Sequence, residues 1–118
     1  MIEERRENPR VKVCHPCLFL TRISPSPRFA STVDLSLGGV RIATRHCLIS
    51  DQMIDLAIAI RGRVIICRGR VVYVLIDVDG PMAGIRFEAI PRHDRLYLEG
   101  HISGLLEQKN EIRLSRPN

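Results

Sequence analysis

Apolar and polar residues alternate in short segments through the first three quarters of the chain. The segments are separated by turn residues such as Ser24-Pro25-Ser26-Pro27 and Asp77-Val78-Asp79-Gly80-Pro81. A period of two places every second side chain on the same face of a β-strand. The pattern therefore predicts six short strands, at residues 11–21 (with an interruption at Pro16), 29–35, 40–44, 53–60, 64–76 and 83–87.

The apolar period changes after the last of these segments. Pro91 suits the first turn of a helix, and the apolar residues that follow recur at helical spacing: Leu98, Ile102, Leu105 and Leu106. This spacing predicts a helix from residue 92 to about residue 111. Six strands followed by one helix predict a mainly β fold, a six-stranded antiparallel β-barrel with a C-terminal α-helix. Closing the barrel leaves no open sheet edge.

Length and composition limit the kind of protein. A chain of 118 residues predicts one domain, and 45% hydrophobic residues suffice for a packed core. No apolar run approaches the ~18 residues of a membrane span, and residues 1–12 are mostly charged rather than apolar. We therefore expect a cytoplasmic location without membrane insertion. The net charge of +5 favours an anionic partner.

Two short motifs contain residue types suited to a ligand that carries phosphates and bases. Arg6 and Arg10 stand four positions apart, just before the first predicted strand. Asp34 lies at the end of the second predicted strand, and Ser36 and Gly39 follow it. Guanidinium groups bind phosphate bidentately and stack on bases. A carboxylate accepts paired N–H groups such as those of guanine, and glycine lets the backbone approach a ligand closely.

Together, the motifs resemble the RxxxR and (D/N)xSxxG motifs of PilZ domains, a family that senses the bacterial messenger cyclic di-GMP. The strand order, the strand at residues 83–87 and the closing helix are also similar, so the resemblance covers most of the chain. It implies a cyclic di-GMP receptor rather than an enzyme, without catalytic residues, cofactor or metal. Residues 1–10 would form a flexible N-terminal arm carrying the first motif, and residues 11–118 a single PilZ-like barrel domain with its helix.

The resemblance also implies a role for each motif residue. Arg6 and Arg10 would bind the ligand phosphates and stack on a purine. Asp34 would read the N1–H and N2–H edge of guanine, and Ser36 would offer its hydroxyl to a phosphate or a base heteroatom. Gly39 would keep the wall of the site low.

Arg5, directly before the first motif, adds another guanidinium, and its position is linked in the family to the number of ligand molecules bound. Binding is expected to order the arm and create a surface for a downstream protein partner. Motility, polysaccharide synthesis and pili are family-level options for the process controlled, and the sequence does not choose among them. A homodimer is compatible with the sequence, and the end of the helix is one surface for it.

A cysteine-based redox or zinc protein is an alternative. Cys14-His15-Pro16-Cys17 resembles a Cys-x-x-Cys motif, and further candidate ligands are present: His46, Cys47 and Cys67. Positions i and i+3 of a strand face opposite sides, so Cys14 and Cys17 are expected to diverge unless Pro16 bends the chain. The cysteines are expected to be buried, reduced structural thiols. His93 and His101 are predicted on the polar face of the helix.

A basic β-barrel that binds nucleic acid is the other alternative, favoured by the pI of about 9.5. The arginines are spread along the chain rather than gathered in one run, and aromatic residues make up only 4%. Proteins that bind single-stranded nucleic acid stack its bases on aromatic side chains, so the composition disfavours this interpretation.

Overall fold

A computed structural model describes residues 9–24 and 26–115, with the side chains up to residue 109. Within these residues the chain forms seven strands and one helix. In chain order they are β1 (Val11–Lys12), β2 (Pro16–Thr21), β3 (Arg28–Leu35), β4 (Gly39–Ala43), β5 (Met53–Ile60), β6 (Arg63–Asp77), β7 (Gly80–Ala89) and α1 (Arg92–Ser115).

The strands close into the predicted antiparallel barrel. Six of them pair in the order β3-β2-β5-β6-β7-β4, and pairing of β4 with β3 closes the ring. The predicted first strand is divided in two, because residues 13–15 separate β1 from β2. The extra short strand β1 pairs with the end of β3, where Lys12 lies opposite Asp34. The start of the described chain therefore lies beside the second sequence motif.

Alternating side chains of the strands fill the barrel. Leu56, Ile58 and Ile60 of β5 face inward and are at most 1% exposed, as are Ile65 and Val71 of β6. Full burial of each such side chain is worth about 1.5–3 kcal/mol. The alternation of apolar and polar residues in the sequence therefore corresponds to side chains that point in turn into the core and towards the outer surface.

Helix α1 packs on the barrel through the apolar face that its spacing predicted. The N–H of Arg95 donates to the carbonyl of Pro91 at 2.9 Å, which forms the first helical turn. Leu98 and Ile102 are buried in the core cluster. The carboxylate of Asp94 is also buried, and it accepts a hydrogen bond from Arg63 at 3.2 Å.

The surroundings of one predicted polar-face residue differ from those of a solvated side chain. His101 is only partly exposed, because this side of α1 packs against the junction between β1 and β2. There the Nε2 atoms of His101 and His15 are 3.2 Å apart, and their ring centres are 5.2 Å apart. His93, in contrast, is exposed as predicted.

Strands β6 and β7 extend beyond the barrel as a hairpin. The pairing of β5 with β6 ends at Met53 and Arg70, whereas β6 and β7 stay paired to the turn between Asp77 and Gly80. The register of β6 and β7 shifts between Val71 and Tyr73. After this shift, every residue of β6 is exposed.

Candidate ligand-binding site

Asp34 lies between two arginines at the rim of the barrel. Its Oδ1 accepts a hydrogen bond from Nη1 of Arg10 at 2.8 Å. Its Oδ2 accepts one from Nε of Arg41 at 2.8 Å and another from Nη2 of the same guanidinium. The side chain of Asp34 is 3% exposed, and those of the arginines are 34% exposed. The carboxylate is thus buried, with guanidinium groups between it and solvent.

Strand register builds this arrangement. Lys12 of β1 and Arg41 of β4 both lie opposite Asp34 of β3, so the three form a row across neighbouring strands. Side chains opposite one another in an antiparallel pair are about 5 Å apart. Arg10 stands two positions before Lys12, which places it on the same face. The row therefore carries three positive charges around one negative charge.

Ionisation strengthens the contact between Arg41 and Asp34. The hydrogen bond to Asp34 is the largest effect on Arg41 and raises the pKa of its guanidinium, while partial burial acts in the opposite direction. Hydrogen bonds between charged groups are stronger than neutral ones. Arg41 is therefore a fixed positive charge.

A cleft of about 560 Å³ opens in front of this cluster. In the described part of the chain, its lining comes from β1 and the residues beside it, from β3 and β4, and from α1: Arg10, Val11, Lys12, Val13, Asp34, Arg41, Leu105 and Lys109. Four of these side chains are basic and one is acidic. The cleft is therefore suited to an anionic ligand.

Ser36 and Gly39 form the turn between β3 and β4, and neither lines the cleft. The N–H of Ser36 donates to the carbonyl of Gly39 at 2.9 Å, and its Oγ accepts hydrogen bonds from the N–H groups of Gly38 and Gly39, both at 3.2 Å. A Cβ on Gly39 would lie 2.2 Å from the carbonyl oxygen of Ile85. Close approach of β7 therefore requires glycine here, a reason independent of any ligand.

An aromatic side chain lies next to the cluster. Tyr73 of β6 and Arg41 of β4 both lie opposite Gly84 of β7. A Cβ on Gly84 would lie 2.2 Å from Cε2 of Tyr73, which shows that the ring rests directly on the glycine backbone. Tyr73 is 36% exposed, so part of the tyrosine is accessible beside Arg41.

The structure thus brings together two of the six residues singled out in the sequence, Arg10 and Asp34. Arg5 and Arg6 lie outside the described residues. Sequence reasoning missed the contributions of Arg41 and Lys109. Arg41 follows Gly39 by two positions on an alternating strand, which is a usable signal, whereas nothing local indicates that the helix reaches the site.

The prediction of buried thiols is confirmed for Cys17 and Cys67 and is wrong for Cys14 and Cys47, which are exposed. Cys14 is exposed and Cys17 is buried, and both are free thiols. Burial raises the pKa of Cys17 and of Cys67 to about 12, so both thiols are protonated at neutral pH. The described residues contain no group of three or more histidine, cysteine or acidic side chains arranged to hold a metal ion.

Several arginines on the outer surface are paired with acids. Nε of Arg68 lies 2.9 Å from Oδ1 of Asp55, and Nη2 of Arg86 lies 3.1 Å from Oε2 of Glu88. This pairing reduces the basic surface that a nucleic acid would contact. Over the described part of the chain, α1 is too polar to cross a bilayer.

The family model for the PilZ domain matches residues 4–104, and the chain therefore belongs to the PilZ family. No curated protein sequence matches the chain significantly.

Solved structures agree on the fold. The PilZ domain of YcgR from Escherichia coli with c-di-GMP has a TM-score of 0.72 and 17% identity, over 95% of this chain and 99% of that one. MotI/DgrA, an inhibitor of motility from Bacillus subtilis, has a TM-score of 0.75 and 17% identity over 87% of this chain. The MrkH–c-di-GMP complex of K. pneumonia has a TM-score of 0.74 and 16% identity over 91% of this chain. The chain spans 52% of the MotI chain and 55% of the MrkH chain.

Proposed function

We propose that this protein is a receptor for cyclic di-GMP and binds it in the cleft beside Asp34. The observation that carries the proposal is the buried carboxylate held between the guanidinium groups of Arg10 and Arg41, with Lys12 and Lys109 on the same cleft. Cyclic di-GMP has two phosphodiester charges and two guanines. Membership in the PilZ family, and the c-di-GMP in two of the similar structures, support this choice of ligand.

Binding proceeds by exchange of hydrogen-bond donors at Asp34. The carboxylate is buried and guanidinium groups lie between it and solvent, so guanine reaches it when a guanidinium moves away. Arg10 is the one that moves, because it contacts the carboxylate through a single nitrogen, whereas Arg41 uses two. The N1–H and N2–H of guanine replace the Arg10 donor, and Arg10 turns to a ligand phosphate.

The other walls of the cleft contribute charge and apolar surface. Lys109 of α1 faces Arg10 and Lys12 across the cleft, and it supplies a positive charge for a phosphate. Leu105 and the side chains beside β1 contact the faces of the bases. Tyr73, next to Arg41, offers a surface for stacking at the edge of the site. Ser36 and Gly39 support the site by fixing the turn that holds β4 against β3.

Arg5 and Arg6 complete the site from the N-terminal arm, which closes over the ligand. The closed arm and the exposed part of the ligand form a surface that a downstream protein recognises in the cytoplasm. The proposal assigns binding to this site and no hydrolysis.

Calorimetric titration tests the proposal and measures the stoichiometry. We expect binding of cyclic di-GMP in preference to GTP and cyclic di-AMP. Arg10→Ala should weaken binding about tenfold or more, because a hydrogen bond between charged groups contributes about 1.5–3 kcal/mol. Arg68→Ala is the matched control, since Arg68 forms an ion pair with Asp55 away from the cleft.

Two results would contradict the proposal. One is the absence of heat with cyclic di-GMP from a folded protein. The other is equal affinity of the Arg10→Ala variant and the parent, which would move the site away from this cleft. Salt-dependent binding of arbitrary RNA or DNA, without selectivity for the cyclic dinucleotide, would favour the nucleic-acid alternative.

A further inference from the structure

The hairpin at the ends of β6 and β7 exposes many apolar side chains. Val72, Val74 and Leu75 are between 41% and 49% exposed, Ile76 is 82% exposed, and Val78 in the turn is 95% exposed. An isolated two-stranded hairpin is at best marginally stable in water. Exposed apolar patches of this kind mark sites of interaction.

One edge of this hairpin is open. Next to the barrel, the N–H of Asp51 donates to the carbonyl of Val71 at 2.6 Å, and the N–H of Val71 donates to the carbonyl of Gln52 at 2.8 Å. Oγ of Ser50 donates to the carbonyl of Val72 at 3.1 Å. From residue 73 to the turn, β7 is the only strand of the described chain that pairs with β6, so the other edge of β6 has no strand beside it.

The open edge carries free main-chain groups. Asp77 lies opposite Gly80 across the two-residue turn, and the residues that flank such a turn bond to each other. The next residue, Ile76, then directs its N–H and C=O away from β7, as does Val74. Pro81 lies opposite Ile76 and shows the same orientation on the other strand. Its carbonyl points away from β6 and accepts a hydrogen bond from the N–H of Thr44, after β4, at 3.3 Å.

The charge of the hairpin restricts its partner. Residues 71–85 contain no lysine or arginine, and their only charged side chains are Asp77 and Asp79. Edge strands are ordinarily protected from pairing by lysine or proline, and residues 72–76 contain neither. An acidic tip also opposes nucleic acids and anionic membranes. The surface suits a partner that offers another apolar strand edge.

We propose that this edge binds the same edge of a second copy of the chain, so that the two β6 strands pair antiparallel about Leu75 in a two-fold dimer. In this register, Val74 of each copy lies opposite Ile76 of the other, and their free N–H and C=O groups bond to each other. Leu75 meets Leu75 on the two-fold axis. The contact is self-complementary, as a two-fold interface requires.

The sequence of the hairpin favours its own copy over an unrelated strand. Along the free part of the edge, residues 73–77, the central pairs are apolar, with Val74 opposite Ile76 and Leu75 opposite Leu75, and Tyr73 lies opposite Asp77 at each end. One strand pair buries a small area, so we expect a dissociation constant of about a micromolar.

Sedimentation velocity from about 1 to about 200 µM tests the dimer. We expect the parent to associate with concentration, and Ile76→Lys to weaken association at least about tenfold. Phe29→Lys is the matched control, because Phe29 is 77% exposed and Ile76 is 82% exposed; it should associate like the parent. A parent that stays monomeric, or an association that Phe29→Lys abolishes and Ile76→Lys leaves intact, would overturn the proposal.

A cross-link tests the register. In a background of Cys14→Ser and Cys47→Ser, Leu75→Cys should form a disulfide between copies under mild oxidation, because directly opposite residues of this kind have Cα atoms about 4.5 Å apart. Ile66→Cys, on the barrel wall, should not. Association without a Leu75→Cys cross-link would overturn pairing about Leu75. Circular dichroism establishes that each variant is folded.

Discussion

Arg10 reaches Asp34 over 24 positions of sequence and holds one oxygen of a carboxylate that is only 3% exposed. Arg41 holds the other oxygen. Guanidinium groups lie between this buried carboxylate and solvent, so the proposed contact with a base requires a guanidinium to move. In the proposed function, the pair therefore links recognition of the base to movement of Arg10.

Asp34→Ala should remove the preference for cyclic di-GMP over cyclic di-AMP, because adenine does not present the paired N–H donors that the carboxylate accepts. The free energy of unfolding should also fall, by about 1–3 kcal/mol, since two guanidinium groups lose their buried partner. Calorimetry with both ligands and urea unfolding measure these effects. Asp55→Ala, which removes the exposed carboxylate beside Arg68, is the control. Unchanged selectivity in folded Asp34→Ala would assign base reading to other groups.

Gly39→Ala should destabilise the fold by about 1–3 kcal/mol, because the added Cβ would meet the backbone oxygen of Ile85, which cannot move without shifting β7. Gly100→Ala is the matched control. No atom lies within 4 Å of a Cβ at Gly100, so alanine should stabilise the exposed helix by about 0.5–1 kcal/mol. Urea unfolding measures both variants. Equal stability of Gly39→Ala and the parent would contradict the close approach of β4 and β7.

Acid should weaken the attachment of α1 to the barrel. Burial lowers the pKa of His15 below the usual 6.5, and the charge of Arg61 lowers it further. Burial also lowers the pKa of His101, and the charges of His15 and Arg61 add to this effect. Because the fold favours the neutral rings, the unfolded chain binds more protons below pH 6.5. The contribution of the pair is therefore complete above that pH and is lost as the pH falls towards the lowered pKa values.

Urea unfolding at a series of pH values measures this loss. The double variant His15→Gln/His101→Gln should show a flatter decrease of the unfolding free energy between about pH 6.5 and pH 5. Ser103→Ala, at an exposed position of the same helix without a titratable group, should keep the slope of the parent. An identical slope in the double variant would show that the pair does not control acid stability.

The four cysteines should divide into two classes of reactivity. Cys14 and Cys47 are exposed, whereas burial raises the pKa of Cys17 and Cys67 to about 12. A thiol reagent at about pH 8 should modify two thiols rapidly and all four only after unfolding. Elemental analysis should find less than one equivalent of zinc. Stoichiometric zinc, lost in a Cys14→Ser/Cys17→Ser variant, would support the zinc alternative instead.

Cyclic di-GMP should slow hydrogen exchange in residues 1–10. The proposed function has Arg5, Arg6 and Arg10 bind the ligand from this segment, so its amides should gain protection on binding. Strand β4 is the internal reference, because its amides are already paired with β3 and β7. Protection of residues 1–10 that is the same with and without the ligand would exclude closure of the arm.

The barrel was predictable because its physical cause is local. Strands β2, β5 and the first part of β6 alternate between interior and surface, and turn residues mark the strand ends, so the sequence pattern located all six strands and the helix. Strand β7 does not alternate, because residues 82–85 are all buried. The split between β1 and β2 was indicated only by Pro16.

The missing parts of the site depend on contacts between distant segments. Arg41 joins the site through the register of β4 with β3, and Lys109 joins it because α1 packs across the rim. The contact of His15 with His101 arises from the same helix packing. A periodic pattern gives the face of an element but not the neighbour of that face, so these contacts could not be derived from the sequence.

The cleft draws its walls from opposite ends of the described chain, with Arg10 to Val13 on one side and Leu105 and Lys109 on the other. This arrangement has a practical use. A fluorescent donor and acceptor attached beside these two walls would flank the cleft, and the arm closure proposed above would change the distance between them. The domain is accordingly a suitable frame for a single-chain optical biosensor of the proposed ligand.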